Sequence, residues 1–265
     1  MIKKVITIAL VSYVVLFGAA VLFQRFILLH PQKLAKDYIY EFKGAEEFYI
    51  EANPTVNLNA LIFRTKDTVS KGVVMYLHGN SDNLVRWGKH AEEFNKRGYD
   101  VIMYDYRGFG KSDGRLDEKN LLEDAQLVLV DIGRRYPLRN IIIYGRSLGS
   151  GVATKLASEN LVKMLILETP YYSITDLAWS QLPLFPYKRV SEFDIPTYEW
   201  IPKVKCPIHI FHGTDDRIVP YSQSIKLVEV LKKKPNDILT TLEGGHHRDL
   251  DHFKEYQIVM DRLLK

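Results

Sequence analysis

Apolar runs alternate with amphipathic segments along most of the chain from residue 70 onward. Six runs are rich in β-branched and aromatic residues and apolar on both faces, which is typical of parallel strands covered by helices. They lie at 72–78, 99–105, 140–145, 162–168, 206–213 and 236–244. Helical patterns separate them at 82–97, 117–135, 149–160, 221–234 and 250–264. This alternation predicts βαβ units and one mostly parallel sheet with helices on both faces.

Two other regions complete the predicted domain. Shorter strand candidates at 38–42, 47–50 and 59–63 precede the alternation, which brings the expected sheet to about eight strands. Residues 171–202 are rich in proline and aromatic residues and too long for a plain connection between strands. We expect this segment to form a short cap over one end of the sheet.

The N-terminal segment has a different character. Val5–Phe23 carries no charge, and about 20 apolar residues suffice for a helix to cross a bilayer. Residues 1–29 are therefore predicted to be an uncleaved membrane anchor, and 30–265 the catalytic domain. A signal peptide cleaved near Gly18-Ala19-Ala20 is the alternative, although the apolar core of such a peptide is shorter. Positive charges flank the segment on both sides, so the positive-inside rule discriminates poorly. We expect a cytoplasmic N-terminus and an extracytoplasmic domain.

Charge and cysteine content narrow the possible partners. The net charge is +4 and the basic residues are scattered, so no nucleic-acid-binding surface is indicated. Cys206 is the single cysteine, which excludes an intramolecular disulfide and a multi-cysteine metal site. The histidines and acids between 246 and 252 lack the helical H-E-x-x-H pattern. We therefore expect neither a metal nor a cofactor.

The stretch NIIIYGRSLGSGVATKL, residues 140–156, places a serine between two glycines where a strand pattern becomes helical. A tight strand-to-helix turn exposes the Ser147 side chain and brings its neighbours too close for a Cβ, which Gly145 and Gly149 lack. The helix start also leaves the Leu148 N–H free to bind developing negative charge. The pattern predicts a nucleophile at Ser147.

A serine nucleophile needs a base, which a carboxylate orients, and this fold supplies them in the chain order Ser, acid, His. Asp215 and Asp216 follow one predicted strand, and His246 and His247 follow the last. Both loops are expected at the sheet edge that carries Ser147. The residue types alone leave either aspartate and either histidine open.

A second oxyanion donor is expected upstream. The strand at 72–78 leads into His78-Gly79-Asn80, and a tight turn there can direct the Asn80 N–H to the same oxyanion as the Leu148 N–H. Such paired donors are often the largest single contribution to catalysis.

Five segments together resemble the serine hydrolases of the α/β-hydrolase superfamily: LHGNSDN, DYRGFGKSDG, GRSLGSG, HGTDDRIVP and GGHHRDL. The resemblance covers about residues 38–265. Within the superfamily it extends to a membrane-anchored branch that includes protein depalmitoylases and uncharacterised bacterial hydrolases. It implies an α/β-hydrolase fold with a short cap. It also implies that Asp216 is the acid and His247 the base, with Arg248 in place of the usual asparagine and His246 as the alternative.

These features predict a serine hydrolase that cleaves esters or thioesters with an apolar, lipid-like acyl group through an acyl-enzyme. An amidase or peptidase of the same fold remains an alternative, as does a catalytically silent, membrane-tethered binding module. The tripeptide Gly110-Lys111-Ser112 prompts a nucleotide-binding alternative, but Asp105 stands where a P-loop needs glycine. The oligomeric state is not indicated.

Overall fold

The computed structural model describes all 265 residues, and an eight-stranded sheet forms its centre. The strands are β1 (Ala45–Asn53), β2 (Val56–Phe63), β3 (Val73–Leu77), β4 (Asp100–Tyr104), β5 (Ile141–Arg146), β6 (Met164–Glu168), β7 (Ile208–Gly213) and β8 (Leu239–Leu242). Their order across the sheet is β1-β2-β4-β3-β5-β6-β7-β8. Only the pairings of β2 with β1 and with β4 are antiparallel. The predicted mostly parallel sheet of about eight strands is confirmed.

Eleven helices surround the sheet and extend from it. They are α1 (Ile2–Leu28), α2 (Leu84–Trp87), α3 (Glu92–Asn95), α4 (Glu118–Gly133), α5 (Leu148–Glu159), α6 (Ile174–Gln181), α7 (Tyr187–Val190), α8 (Thr197–Trp200), α9 (Ser222–Val230), α10 (Pro235–Ile238) and α11 (Lys254–Leu263). The long apolar helix α1 buries none of its residues. The helices α6 to α8 lie within the segment expected to form the cap.

The sheet separates two apolar cores. Along β3, Val73, Met75 and Leu77 belong to the larger core, whereas Val74 and Tyr76 belong to the smaller one on the opposite face. All five side chains are buried, as expected of a strand covered by helices on both faces.

The strand predicted over 236–244 is shorter than expected, because helix α10 occupies Pro235–Ile238. Two further differences from the predicted elements share one contact as their explanation. Residues 38–42 form no strand, and the helix expected over 82–97 is divided into α2, a 3-10 turn at Gly88–Ala91 and α3. The Phe42 ring lies against Gly88, where a Cβ would approach it to 2.6 Å. The Tyr40 hydroxyl also donates a hydrogen bond to Asn59 Oδ1 over 2.7 Å. The 38–42 segment therefore covers the broken helix instead of pairing with the sheet.

The carboxyl ends of four strands bring the predicted site residues to one edge. The turn with Asn80 follows β3, Ser147 follows β5, Asp216 follows β7 and His247 follows β8. In open α/β sheets this edge is where ligands bind.

Candidate active site

Ser147 occupies a strained turn between β5 and α5. Its backbone has φ 52° and ψ −119°, a conformation that residues other than glycine rarely adopt. A Cβ on Gly149 would lie 2.1 Å from the Leu77 carbonyl oxygen, and one on Gly145 would lie 2.5 Å from the Gly149 oxygen. Such strain costs about 1–3 kcal/mol and is found mostly at functional sites. The glycines are therefore required for this turn, and the turn presents the Ser147 hydroxyl above the sheet edge.

Three side chains from distant parts of the chain form a continuous hydrogen-bonded series. His247 Nε2 lies 3.1 Å from Ser147 Oγ, and His247 Nδ1 lies 2.7 Å from Asp216 Oδ2. A carboxylate beside Nδ1 favours the tautomer with its proton on that nitrogen. The Nε2 lone pair then faces the serine hydroxyl and can accept its proton.

Asp216 is held in its ionised form. Its Oδ1 accepts hydrogen bonds from the N–H groups of Ile218 and Val219, both at 2.9 Å. Its Oδ2 also faces His212 Nε2 at 3.3 Å. Burial on its own would raise the pKa of Asp216, but the hydrogen bonds from His212 and His247 hold it well below the ordinary aspartate value. A buried, ionised carboxylate can stabilise an imidazolium at His247.

The neighbouring aspartate and histidine lie outside this series. His246 is exposed, and its Nδ1 lies 3.1 Å from the backbone carbonyl oxygen of Asp215. The Asp215 N–H donates to the Gly245 carbonyl over 3.0 Å. The structure thus brings together Asp216 and His247, and leaves Asp215 and His246 in loop contacts.

Two backbone N–H groups adjoin the serine. Asn80 N–H has no acceptor within the chain, and Leu148 is the first residue of α5, where helix N–H groups lack intrahelical acceptors. The turn after β3 passes close to the serine, since a Cβ on Gly79 would lie 3.7 Å from Ser147 Cβ. A cleft of about 30 Å³ lies between Asn80, Ser147 and His247.

Two supporting residues were not identified from the sequence. Arg146 Nη2 donates to the His247 carbonyl over 3.2 Å, and its Nε lies 3.0 Å from Glu168 Oε1. Burial raises the pKa of Glu168, and the Arg146 charge opposes that rise. His212 is fixed beside Asp216 by contacts of its ring nitrogens with Ser224 Oγ at 2.6 Å and the Val219 carbonyl at 2.8 Å. The sequence did contain indications of both residues: Arg146 lies inside the G-x-S-x-G motif, and His212 lies near the end of a buried strand.

Other candidate chemistries find less support. No group of three or more His, Cys, Asp or Glu side chains is arranged to hold a metal ion. In the GKS tripeptide, Lys111 forms an ion pair with Glu47 at 2.8 Å, and the Ser112 hydroxyl donates to the Asp105 carbonyl over 2.5 Å. Both side chains are buried and engaged in contacts within the domain.

Comparisons with known proteins agree with this architecture. The family model described as serine aminopeptidase, S33, matches residues 68–193. Alpha/beta hydrolase domain-containing protein 17B of Homo sapiens is 28% identical over 236 residues, covering 88% of this chain and 80% of the relative. Lysophosphatidylserine lipase ABHD12 of Danio rerio is 31% identical over 188 residues, covering 61% and 47% respectively. The structure of the Pyrococcus furiosus esterase Pf2001 matches with a TM-score of 0.67 at 19% identity, covering 89% of this chain and 97% of that chain.

Proposed function

This chain is a serine hydrolase of the α/β-hydrolase superfamily, and we propose that it hydrolyses ester or thioester bonds of substrates with an apolar acyl chain. The observation that carries the proposal is the hydrogen-bonded series from Ser147 Oγ through His247 to Asp216. A serine hydroxyl becomes an effective nucleophile when an adjacent, oriented base takes its proton.

The proposed reaction proceeds through an acyl-enzyme. His247 Nε2 takes the Ser147 proton as Oγ attacks the substrate carbonyl carbon, and the N–H groups of Asn80 and Leu148 bind the oxyanion. His247 then protonates the leaving alcohol or thiol. Water attacks the acyl-enzyme with His247 as base, and the acid product leaves with Ser147 restored. Asp216 holds the His247 tautomer and stabilises the imidazolium.

Amide hydrolysis is the second candidate, because the matching family model is described as a serine aminopeptidase. An aminopeptidase must bind the α-ammonium group of its substrate, for which a carboxylate is the natural partner. The cleft at Ser147 is lined instead by Arg86, Arg146 and Arg248, and by no aspartate or glutamate. This charge pattern argues against an aminopeptidase.

The N-terminal helix is proposed to anchor the enzyme in a membrane. Helix α1 is long and apolar enough to cross a bilayer, and none of it is buried within the chain. A signal peptide would pass the same criteria of length and composition, so retention of α1 in the mature protein distinguishes the two. We place the catalytic domain on the extracytoplasmic side.

The experiment measures hydrolysis of p-nitrophenyl butyrate by the full-length protein in detergent. Ser147→Ala should lower kcat by on the order of 10⁶, the loss typical when this nucleophile is removed. Ser158→Ala is the matched control, because Ser158 lies near the far end of α5 and bonds only the Lys155 carbonyl. Parent activity in Ser147→Ala would refute the assignment. Failure of the parent protein to hydrolyse esters or react with a fluorophosphonate would favour the silent binding module.

A further inference from the structure

A large apolar groove lies between α1 and the cap. Its volume is about 420 Å³, and 14 of its 17 lining residues are hydrophobic. The C-terminal half of α1 supplies one wall, through Phe17, Ala20, Val21, Gln24, Ile27 and Leu28. Helices α6 and α7 and the residues around them supply the other wall. A groove of this size and lining suits an alkyl chain.

Specific contacts hold α1 against the cap. The Tyr13 and Phe17 rings pack on Phe185, with centroids 5.6 and 5.5 Å apart. The Glu192 N–H donates to Gln24 Oε1 over 2.7 Å, and the Glu192 carboxylate pairs with Arg25. The wall that α1 provides is therefore fixed by both apolar and polar contacts.

The groove adjoins the cleft at Ser147. Ile218 lines both, and its N–H donates to Asp216 Oδ1 over 2.9 Å. Leu28 lines the groove at the end of α1, and its carbonyl accepts a hydrogen bond from Asn80 Nδ2. An alkyl chain in the groove would thus have its head at the cleft.

The groove lies beside the part of α1 proposed to cross the bilayer. Tyr13, which contacts the cap, precedes Leu28 by ~22 Å of helix at the standard rise. The cap side chains Trp179, Leu182 and Leu184 are 53%, 50% and 45% exposed. Exposed apolar side chains beside a spanning helix are typical of a surface that contacts a membrane. We infer that the groove lies where the cap would meet the bilayer.

We propose that the anchor helix is itself part of the substrate site: the acyl chain of a membrane-embedded ester or thioester lies between α1 and the cap, with its carbonyl at Ser147. The inference rests on the proposed function and adds a specificity role for α1. A substrate then passes from the bilayer to the serine without its acyl chain crossing water, which removes the cost of exposing that chain.

The test compares kcat/KM for p-nitrophenyl palmitate and p-nitrophenyl butyrate, using full-length protein in mixed micelles. Ala20→Trp places a bulky ring in the groove and should lower the palmitate-to-butyrate ratio about tenfold, the loss expected when two methylenes lose their apolar contacts. Ala178→Trp, on the opposite wall, should do the same. Ala19→Trp is the matched control, since Ala19 neighbours Ala20 on α1 but does not line the groove.

A direct readout uses a hexadecyl fluorophosphonate with a diazirine near the end of its chain. After labelling of Ser147 and irradiation, the cross-linked peptides should include residues 17–28 of the same copy. Cross-links confined to the cap or to another copy, or an unchanged ester ratio in both tryptophan variants, would overturn the inference while leaving the hydrolase assignment intact. Loss of labelling in the parent protein would instead refute the hydrolase assignment.

Discussion

The side-chain amide of Asn80 donates a hydrogen bond to the backbone carbonyl of Leu28 over 2.5 Å. The His30 N–H returns a bond to the Asn80 carbonyl over 2.9 Å. The end of α1 is therefore bonded directly to the turn whose N–H is the proposed oxyanion donor. A movement of α1 relative to the domain would therefore displace Asn80, and with it the N–H that is the proposed oxyanion donor.

The two roles of Asn80 can be separated by substitution. Asn80→Pro removes the N–H and should lower kcat by about 10²–10³, as loss of an oxyanion donor does elsewhere. Asn80→Ala keeps the N–H but loses the bond to Leu28, so we expect a smaller loss of kcat for butyrate esters. Steady-state kinetics check both variants. Equal losses would mean that the side chain, and not the N–H, is what matters.

The two adjacent histidines should differ greatly in their effect on activity. His247→Ala removes the proposed base and should lower kcat by on the order of 10⁶. His246→Ala removes an exposed ring that contacts a backbone carbonyl, so kcat should stay within about twofold. Ester hydrolysis and fluorophosphonate labelling rates measure both. The reverse ranking would assign the base to His246.

The buried pair of Arg146 and Glu168 should dominate local stability. Arg146→Met leaves the Glu168 charge buried without its partner and should lower the free energy of unfolding by about 3–5 kcal/mol. Adding Glu168→Gln removes that charge and should recover part of the loss. Urea unfolding of the single and double variants measures the coupling. Additive effects would show that the two side chains do not interact.

The turn at Ser147 should not tolerate a methyl group at Gly149. The new Cβ would lie 2.1 Å from the Leu77 carbonyl oxygen. Gly149→Ala should therefore lower the free energy of unfolding by about 1–3 kcal/mol and reduce the rate of ester hydrolysis. Gly133→Ala is the control, because its Cβ would approach nothing closer than 3.9 Å within a helix. That variant should be neutral or more stable by up to about 1 kcal/mol. A Gly149→Ala variant with the same free energy of unfolding and the same ester hydrolysis rate as the parent protein would show that the turn geometry is wrong.

The stability of the domain should fall at mildly acidic pH because of His90. Burial, reinforced by the charge of Arg146, lowers the pKa of His90 to about 4, against an opposing effect of Asp251. Between about pH 6.5 and pH 4, His90 binds a proton in the unfolded chain but not in the folded chain. The free energy of unfolding therefore decreases as the pH falls through this range, by up to about 1.4 kcal/mol per pH unit.

Urea unfolding at pH 7 and pH 5 measures this effect. His90→Gln should reduce the difference between the two pH values. His252→Gln should leave the difference as in the parent protein, since the His252 side chain is 79% exposed. If His90→Gln showed the same difference in unfolding free energy between pH 7 and pH 5 as the parent protein, the pH dependence would come from other groups.

The sequence predicted most of the sheet because strand and helix periodicity are local properties. It missed the break at Gly88 and the loss of the strand at 38–42, because both depend on the Phe42 ring meeting a helix more than 40 residues away. No pattern within either segment records that contact. The same holds for Arg146 and Glu168, whose pairing requires β5 and β6 to lie side by side.

The sequence by itself determined the turn at Ser147, since glycines two residues to either side are needed wherever a strand turns so sharply into a helix. It also determined that an acid and a histidine follow later strands at the same edge. The residue types alone left two aspartates and two histidines open, and the family resemblance favoured Asp216 and His247; only the tertiary structure showed His247 beside Ser147 with Asp216 behind it, and α1 lying on the cap. Adjacent residues are equivalent in pattern but point in different directions, and that difference is fixed by contacts between segments that are distant in the sequence.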